Sequence, residues 1–138
     1  MNIYFSCSIT GGRQDQHVYH AIVDALLKGG HEVSTAHLSR PDVMEKETDI
    51  SPAVVYERDV RWVEECDALI AEVSTPSHGV GYEVALALSL GKPVFCCYQH
   101  GRRVSKMILG NNHPTLSLFS YHTLDELLPK INEFLLNV

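Results

Sequence analysis

The sequence predicts an α/β fold: a doubly wound, five-stranded parallel sheet with helices on both faces. Three observations predict it. Apolar strand-like runs and amphipathic helical patterns alternate about five times along the chain. Small-residue turns stand between strand and helix at two places, residues 8–13 and 77–81. No repeat, low-complexity tract or linker interrupts the alternation, and 138 residues suit one domain, 1–138, with one good core.

Asn2–Ser6 reads as a short apolar strand, followed by the turn of Cys7, Ser8, Ile9, Thr10, Gly11, Gly12 and Arg13. A helix over 15–28 carries Val18, Ala21, Ile22, Ala25 and Leu26 at the i, i+3, i+4, i+7 and i+8 positions of one apolar face, and Gly29-Gly30 stops it. Residues 31–36 form a weaker strand nearer the sheet edge, because Val33 alternates with polar neighbours. Residues 37–50 are polar, contain Pro41 and show no period; they read as a loop near the sheet's C-terminal edge. Ser51 as N-cap and Pro52 at the first position open a helix that runs to about Glu65. Val55, Trp62 and Val63 mark its buried side, and Asp59 lies one turn after Val55 on that side. Two readings of Asp59 stand at this point: a buried acid paired with a backbone group or an arginine, or a functional acid.

Ala68, Leu69, Ile70 and Ala71 read as a buried parallel strand, residues 75–83 as the loop after it, and residues 84–88 as a helix. Glu83 falls in the first turn of that helix, where the positive end of the dipole favours an ionised carboxylate. Ser77, Gly79 and Gly81 allow the loop to wrap backbone N–H groups around an anion; an ordinary turn with a helix-capping acid is the alternative. Gly91 caps that helix and residues 93–98 form a further strand. A basic loop with Arg102 and Arg103 leads to one or two helical turns over 105–109 and a last short strand over 116–119. Thr123 and Glu126 have capping-box spacing ahead of a helix over 127–136. Wound right-handedly, these elements make a Rossmann/flavodoxin-like sheet, in which ligands bind outside the C-terminal ends of the strands at the switch point. The first and third strands are neighbours there, so their two small-residue loops face one another across a single crevice.

Composition narrows the partners. The net charge of −6 argues against a nucleic-acid polymer or an anionic membrane, but not against a small phosphorylated ligand. No apolar run is long enough to span a bilayer, and Met1–Phe5 enters a strand pattern without the charged start of a signal peptide. Cys7, Cys66, Cys96 and Cys97 lack Cys-x-x-Cys spacing and three sit in or beside apolar runs, which suggests a reducing compartment, cytosol or nucleus. A dinucleotide fingerprint and a Walker loop are both missing. His17 and His20 can share a helix face but lack an evident third ligand, so no metal is expected.

Two carboxylates, Asp59 and Glu83, with Tyr4 at the first strand and serines at both loops, suggest cleavage of a glycosidic bond. A retaining route needs an ionised nucleophile, which the helix start provides for Glu83, and a proton-handling acid with a raised pKa, which burial provides for Asp59. Tyr4 either orients Glu83 by a hydrogen bond or is a core aromatic with a satisfied hydroxyl.

Tyr4-Phe5, Ser8-Ile9 and Gly11-Gly12-Arg13, then Asp59, Ala71-Glu72-Val73, Pro76-Ser77, Gly79-Val80-Gly81-Tyr82-Glu83 and Gly101-Arg102-Arg103-Val104-Ser105, follow one another in a recognisable order. In order and spacing this pattern resembles the 2′-deoxynucleoside 5′-monophosphate N-glycosidases of the nucleoside 2-deoxyribosyltransferase superfamily, over nearly the whole chain. The resemblance implies Glu83 as the nucleophile that takes the sugar C1′, Asp59 as the carboxylate that positions the sugar and shuttles the proton, and Tyr4 as a contact to Glu83 near the 2′ position. It implies Ser8, Ile9, Gly11, Ser77 and Gly79 as substrate contacts, with the serines and the glycine backbone at the phosphate. Ser105 and Met107 are further implied contacts, Ser105 being donated by the neighbouring subunit of a homodimer. Neither metal nor organic cofactor is implied. Two departures stand out: Ser6-Cys7 replaces a common Cys-Gly, and Thr10 replaces a common arginine. Arg13, or Arg102 and Arg103 from the partner, are the candidates to restore that charge, and residues 37–50 are the candidate wall of a base pocket. The implied activity is hydrolysis of deoxynucleoside 5′-monophosphates to free base and 2-deoxyribose 5-phosphate. The alternatives are a nucleoside 2-deoxyribosyltransferase, a ribonucleotide (CMP-type) N-glycosidase and a non-catalytic nucleotide-binding module.

Overall fold

The computed structural model describes residues 1–9, 14–40, 42–43 and 48–138. Thr10, Gly11, Gly12 and Arg13, together with Pro41, lie outside the described residues. Five strands form one sheet: β1 (Asn2–Ser6), β2 (Glu32–Val33), β3 (Ala68–Glu72), β4 (Val94–Gln99) and β5 (Leu116–Tyr121). They lie in the order β2-β1-β3-β4-β5, and every pairing is parallel. The helices described that connect or follow them are α1 (Gln16–Lys28), α2 (Pro52–Glu65), α3 (His78–Ser89), α4 (Lys106–Leu109) and α5 (Leu124–Leu136). The chain runs outward from β1 to β2, then returns to β3 and proceeds to the opposite edge. This reversal puts the switch point between β1 and β3, where the carboxyl ends of two central strands open a crevice.

Each strand divides its side chains between two cores, as the period of two requires. Ile3 and Phe5, Ala68 and Ile70, and Phe95 and Cys97 join Ile22, Leu26, Leu127 and Ile131 of α1 and α5 on one face. Tyr4, Leu69, Ala71, Val94 and Cys96 join Val63, Val84, Ala87 and Leu88 of α2 and α3 on the other. All five residues of β3 are buried, which explains why its sequence reads as an unbroken apolar run ending in an acid.

The helix ends follow local chemistry. Gly30, at φ 81°, lets His31 N–H reach Leu26 O (3.1 Å) and Gly30 N–H reach Leu27 O (3.0 Å), closing α1 with a left-handed glycine. Ser51 Oγ accepts from Val54 N at the start of α2, with Pro52 at the first position. Thr123 Oγ1 accepts from Glu126 N, and Glu126 reaches back to His122 N, one residue before the cap.

Three expectations about elements are corrected. The strand expected over 31–36 is only two residues long. Thr35 ends it by placing its hydroxyl between Phe5 N (2.9 Å) and Phe5 O (2.7 Å), so a side chain takes over where the ladder would continue. Part of the expected loop is a short 3₁₀ helix, Ala36–Ser39. The larger correction concerns α3. It starts at His78, with Ser77 as N-cap accepting from Val80 N, so Gly79 and Gly81 are helical rather than in a loop. Among the described residues no helix is long and apolar enough to cross a membrane.

Candidate active site

Glu83 is organised by the central strand. Tyr4 and Ser6 are two apart on β1 and point to the same face, toward α3. Tyr4 Oη donates to Glu83 Oε1 at 2.8 Å, and Ser6 Oγ donates to Glu83 Oε2. Both oxygens of the carboxylate are thus oriented by hydroxyls from the buried strand β1. Burial pushes the Glu83 carboxyl up to about 7; the hydrogen bonds from Ser6 and Tyr4 pull it down, and the nearby Asp59 charge adds to the rise. Burial, then the charges of Glu83 and Asp59, raise the Tyr4 hydroxyl far above its ordinary range, so it remains a donor.

This corrects the expected division of labour. Glu83 lies in the second turn of α3, five residues after His78, beyond the reach of the helix terminus. Its ionisation is opposed by desolvation instead of being favoured by the dipole. Asp59 is not a deeply buried acid: its side chain is 18% exposed, and Arg58 Nε lies 2.8 Å from Oδ1. Consecutive helical residues do not normally face one another. Here the Arg58 guanidinium also stacks over Trp62, one turn on, at 4.8 Å from the ring centroid. His37, from the segment expected to wall a base pocket, packs edge-on against the same ring at 5.9 Å.

Asp59 and Glu83 line one cavity of about 230 Å³, together with Gly79 and Leu86. Tyr56 and Tyr82 form its rim, with hydroxyls 3.3 Å apart. A second cavity, about 720 Å³, lies on the other side of the first turns of α3 and contains Ser77, His78, Arg103 and Ser105. The structure therefore brings Tyr4, Asp59, Glu83 and Gly79 together, and separately brings Ser77 together with Ser105. Ser8 is fully buried at the end of β1, and Ile9 packs against the core. Gly11 lies outside the described residues, as do Thr10 and Arg13. Ser105 caps α4, accepting from Met107 N at 3.2 Å, and Met107 stands 83% exposed. Gly79 and Gly81 have negative φ, and a Cβ built on Gly79 meets only Ser77 Oγ at 3.9 Å. The fold does not require glycine there, so its value is the open backbone it leaves at the helix start.

Three residues were not picked out as site residues from sequence. Ser6 was visible only as a departure from the family pattern; its place two residues after Tyr4 on a strand was the available signal. Arg58 gave none, because consecutive helical residues do not normally face one another. Asp15 accepts from Arg102 Nη2 at 3.2 Å. Arg102, considered above as a phosphate contact for a partner, is therefore occupied within its own chain.

The sheet order and the carboxylate held against β1 define an α/β protein with a glycosidase-like site. The sequence matches the nucleoside 2-deoxyribosyltransferase family over residues 3–122, and the chain belongs to that family. A Methanococcoides burtonii protein named "Putative 2'-deoxynucleoside 5'-phosphate N-hydrolase 1" is 41% identical over 118 residues, 86% of this chain and 97% of that one. The 5-hydroxymethyl-dUMP N-hydrolase of Rattus norvegicus is 40% identical over 113 residues, 79% of this chain and 69% of that one. The structure of a CMP N-glycosidase from Clostridium botulinum shares the fold, with a TM-score of 0.71 at 20% identity over 97% of this chain and 99% of that one.

Proposed function

We propose that the protein hydrolyses the N-glycosidic bond of 2′-deoxynucleoside 5′-monophosphates, releasing the free base and 2-deoxyribose 5-phosphate. The observation that carries this reading is Glu83, with both oxygens oriented by Tyr4 and Ser6 and its carboxyl lining the same cavity as Asp59. The N-hydrolase names of the relatives support the same reaction. In its ionised form Glu83 bonds to C1′ as the C1′–N bond breaks, and the base leaves with the bonding pair and a proton relayed through Asp59. Water then adds to C1′, its proton returns through Asp59, and the Glu83 carboxylate is released. The net change is one water split between base and sugar. The phosphate lies at Ser8, Ser77 and the backbone near Gly79, at the opposite end of the deoxyribose from Glu83, so the two negative groups do not compete for one position. The Tyr4 hydroxyl, fixed on Glu83, leaves little room for a ribose 2′-OH.

The site is completed by a second copy of the chain that donates Ser105 and Met107. The exposure of Met107 (83%) and Leu109 (42%) on a four-residue helix supports a covering partner. All four cysteines are buried thiols, which supports a cytosolic or nuclear setting. The test is turnover of dCMP, dGMP and modified deoxyuridylates beside CMP. Loss of several orders of magnitude on Glu83→Gln is expected, while faster turnover of CMP overturns the deoxy assignment and nucleotide binding without turnover overturns the enzyme. A second reading, transfer of deoxyribose to another base, is favoured by the description of the family itself. Adding a second free base and recovering a new nucleoside would establish it.

A further inference from the structure

Described residues from three connections meet beyond the carboxyl edge of the sheet. One ends at Asp15, just before α1; one joins β3 to α3 through Thr75; one joins β4 to α4 through Arg102. Asp15 touches both of the others. Its Oδ2 accepts from Thr75 Oγ1 at 2.8 Å and Arg102 Nη2 at 3.2 Å, and its Oδ1 accepts from Gln99 Nε2 at 2.9 Å. Arg102 Nη2 also lies 3.3 Å from Thr75 Oγ1, as does Gln14 Nε2. The Asp15 side chain is 5% exposed and that of Arg102 33%.

The layer beneath is equally connected. Ser74 Oγ accepts from Gln99 N at 2.8 Å and donates to Glu72, which also accepts from Tyr121 Oη at 2.9 Å. Gln99 is thereby held through both backbone and side chain, and Arg102 N closes a turn onto Gln99 O at 3.1 Å. A buried carboxylate paired this way stabilises a fold no better than well-packed apolar residues would; what it does supply is one defined arrangement of its partners. Its partners lie 60, 84 and 87 residues away. Thr75 is two residues before Ser77, and Arg102 is three before Ser105.

We propose that Asp15 is a positioning residue that clamps Thr75, Gln99 and Arg102 into one arrangement and, through Arg102, sets where the Ser105 loop stands, the loop that on the proposed function is lent to the neighbouring copy's site. The proposal rests on the nucleotide-hydrolase reading for its kinetic consequences, but the clamp itself is a property of the chain without ligand. Asp15→Asn keeps the shape, removes the charge and turns an amide donor toward Arg102 or Gln99, which are themselves donors. Arg102→Gln, at a half-exposed position, removes the pair from the other side without disturbing the buried layer.

Hydrogen exchange followed by mass spectrometry reads the clamp directly. Residues 100–105 are expected to exchange about tenfold faster in both variants, and residues 52–65 at the wild-type rate. In calorimetry, affinity for 2-deoxyribose 5-phosphate falls about tenfold in each single variant and no further in the double variant, while affinity for 2′-deoxycytidine is unchanged. In turnover of the nucleotide, KM rises by the same factor and kcat stays within about twofold. Unchanged exchange over residues 100–105 in Arg102→Gln overturns the proposal, and so does a loss of affinity shared equally by the two ligands. A wild-type protein that fails to hydrolyse any deoxynucleotide refutes the proposed function instead, and the exchange experiment still decides the clamp.

Discussion

Replacing Glu83 by glutamine separates the cost of holding this carboxyl from its use. Desolvation between β1 and α3 pushes Glu83 from an ordinary 4.5 up to about 7. Each tenfold in an ionisation constant is worth about 1.4 kcal/mol, so ionising Glu83 in the folded state costs about 3 kcal/mol more than in the unfolded chain. Between those two values the folded protein retains a proton that the unfolded chain has released. The resulting stability is fully present below pH 4.5, declines as pH rises, and is lost above about 7. Glu83→Gln has no such loss: its amide carbonyl still accepts from Tyr4, and its amide N–H₂ donates to Ser6. Urea denaturation at pH 5 and pH 8 checks this. The stability of the variant relative to wild type is expected to rise by about 2 to 3 kcal/mol between the two, leaving the inactive variant the more stable protein at pH 8. A difference that stays flat across that range refutes the reasoning, because Glu83 would then titrate alike in both states.

Three further perturbations address the surroundings of the same carboxyl. Ser6→Cys exchanges a hydroxyl donor for a weaker thiol, so the acid limb of the kcat/KM profile should move to higher pH by up to about one pH unit; an unmoved limb would remove Ser6 from the mechanism. Arg58→Met leaves the Asp59 charge uncompensated beside Glu83 and is expected to shift the same limb upward, while Arg58→Lys restores it in part; equal profiles for both variants would show that the arginine acts only by packing on Trp62. Gly79→Ala should raise helix stability by about 1 kcal/mol, since the added methyl meets only Ser77 Oγ at 3.9 Å, and should raise KM for the nucleotide by crowding the open backbone. A stabilised variant with wild-type KM would move the phosphate elsewhere.

Much of this could be read from the sequence for local reasons. Continuous apolar runs identified β1, β3 and β4, the switch point followed from their order, and Tyr4, Asp59 and Glu83 stood out because chemistry-bearing side chains in or beside apolar runs are few. What was not legible depended on rotation or distance. Two glycines after Ser77 looked like loop, although nothing prevents them from being helical once Ser77 caps, and that misplacement carried the dipole argument for Glu83 with it. The length of β2 was set by one hydroxyl, Thr35, substituting for the ladder at Phe5. Asp15, Thr75, Gln99 and Arg102 are unremarkable singly; their meaning comes from contacts between residues 60 to 87 positions apart. Arg102 in particular looked available because its acid is 87 residues upstream.

The attachment of Glu83 to a central strand, while Asp15, Thr75 and Arg102 meet through side chains in the connections beyond the strands, sets the order in which the molecule can come apart. Strands packed on both faces are the last to open, and loops tied only by side chains are among the first. Warming or mild denaturant is therefore expected to reach these connections before it reaches Glu83. On the proposed function, a protein built this way fails first by releasing its ligand and only later by losing its chemistry.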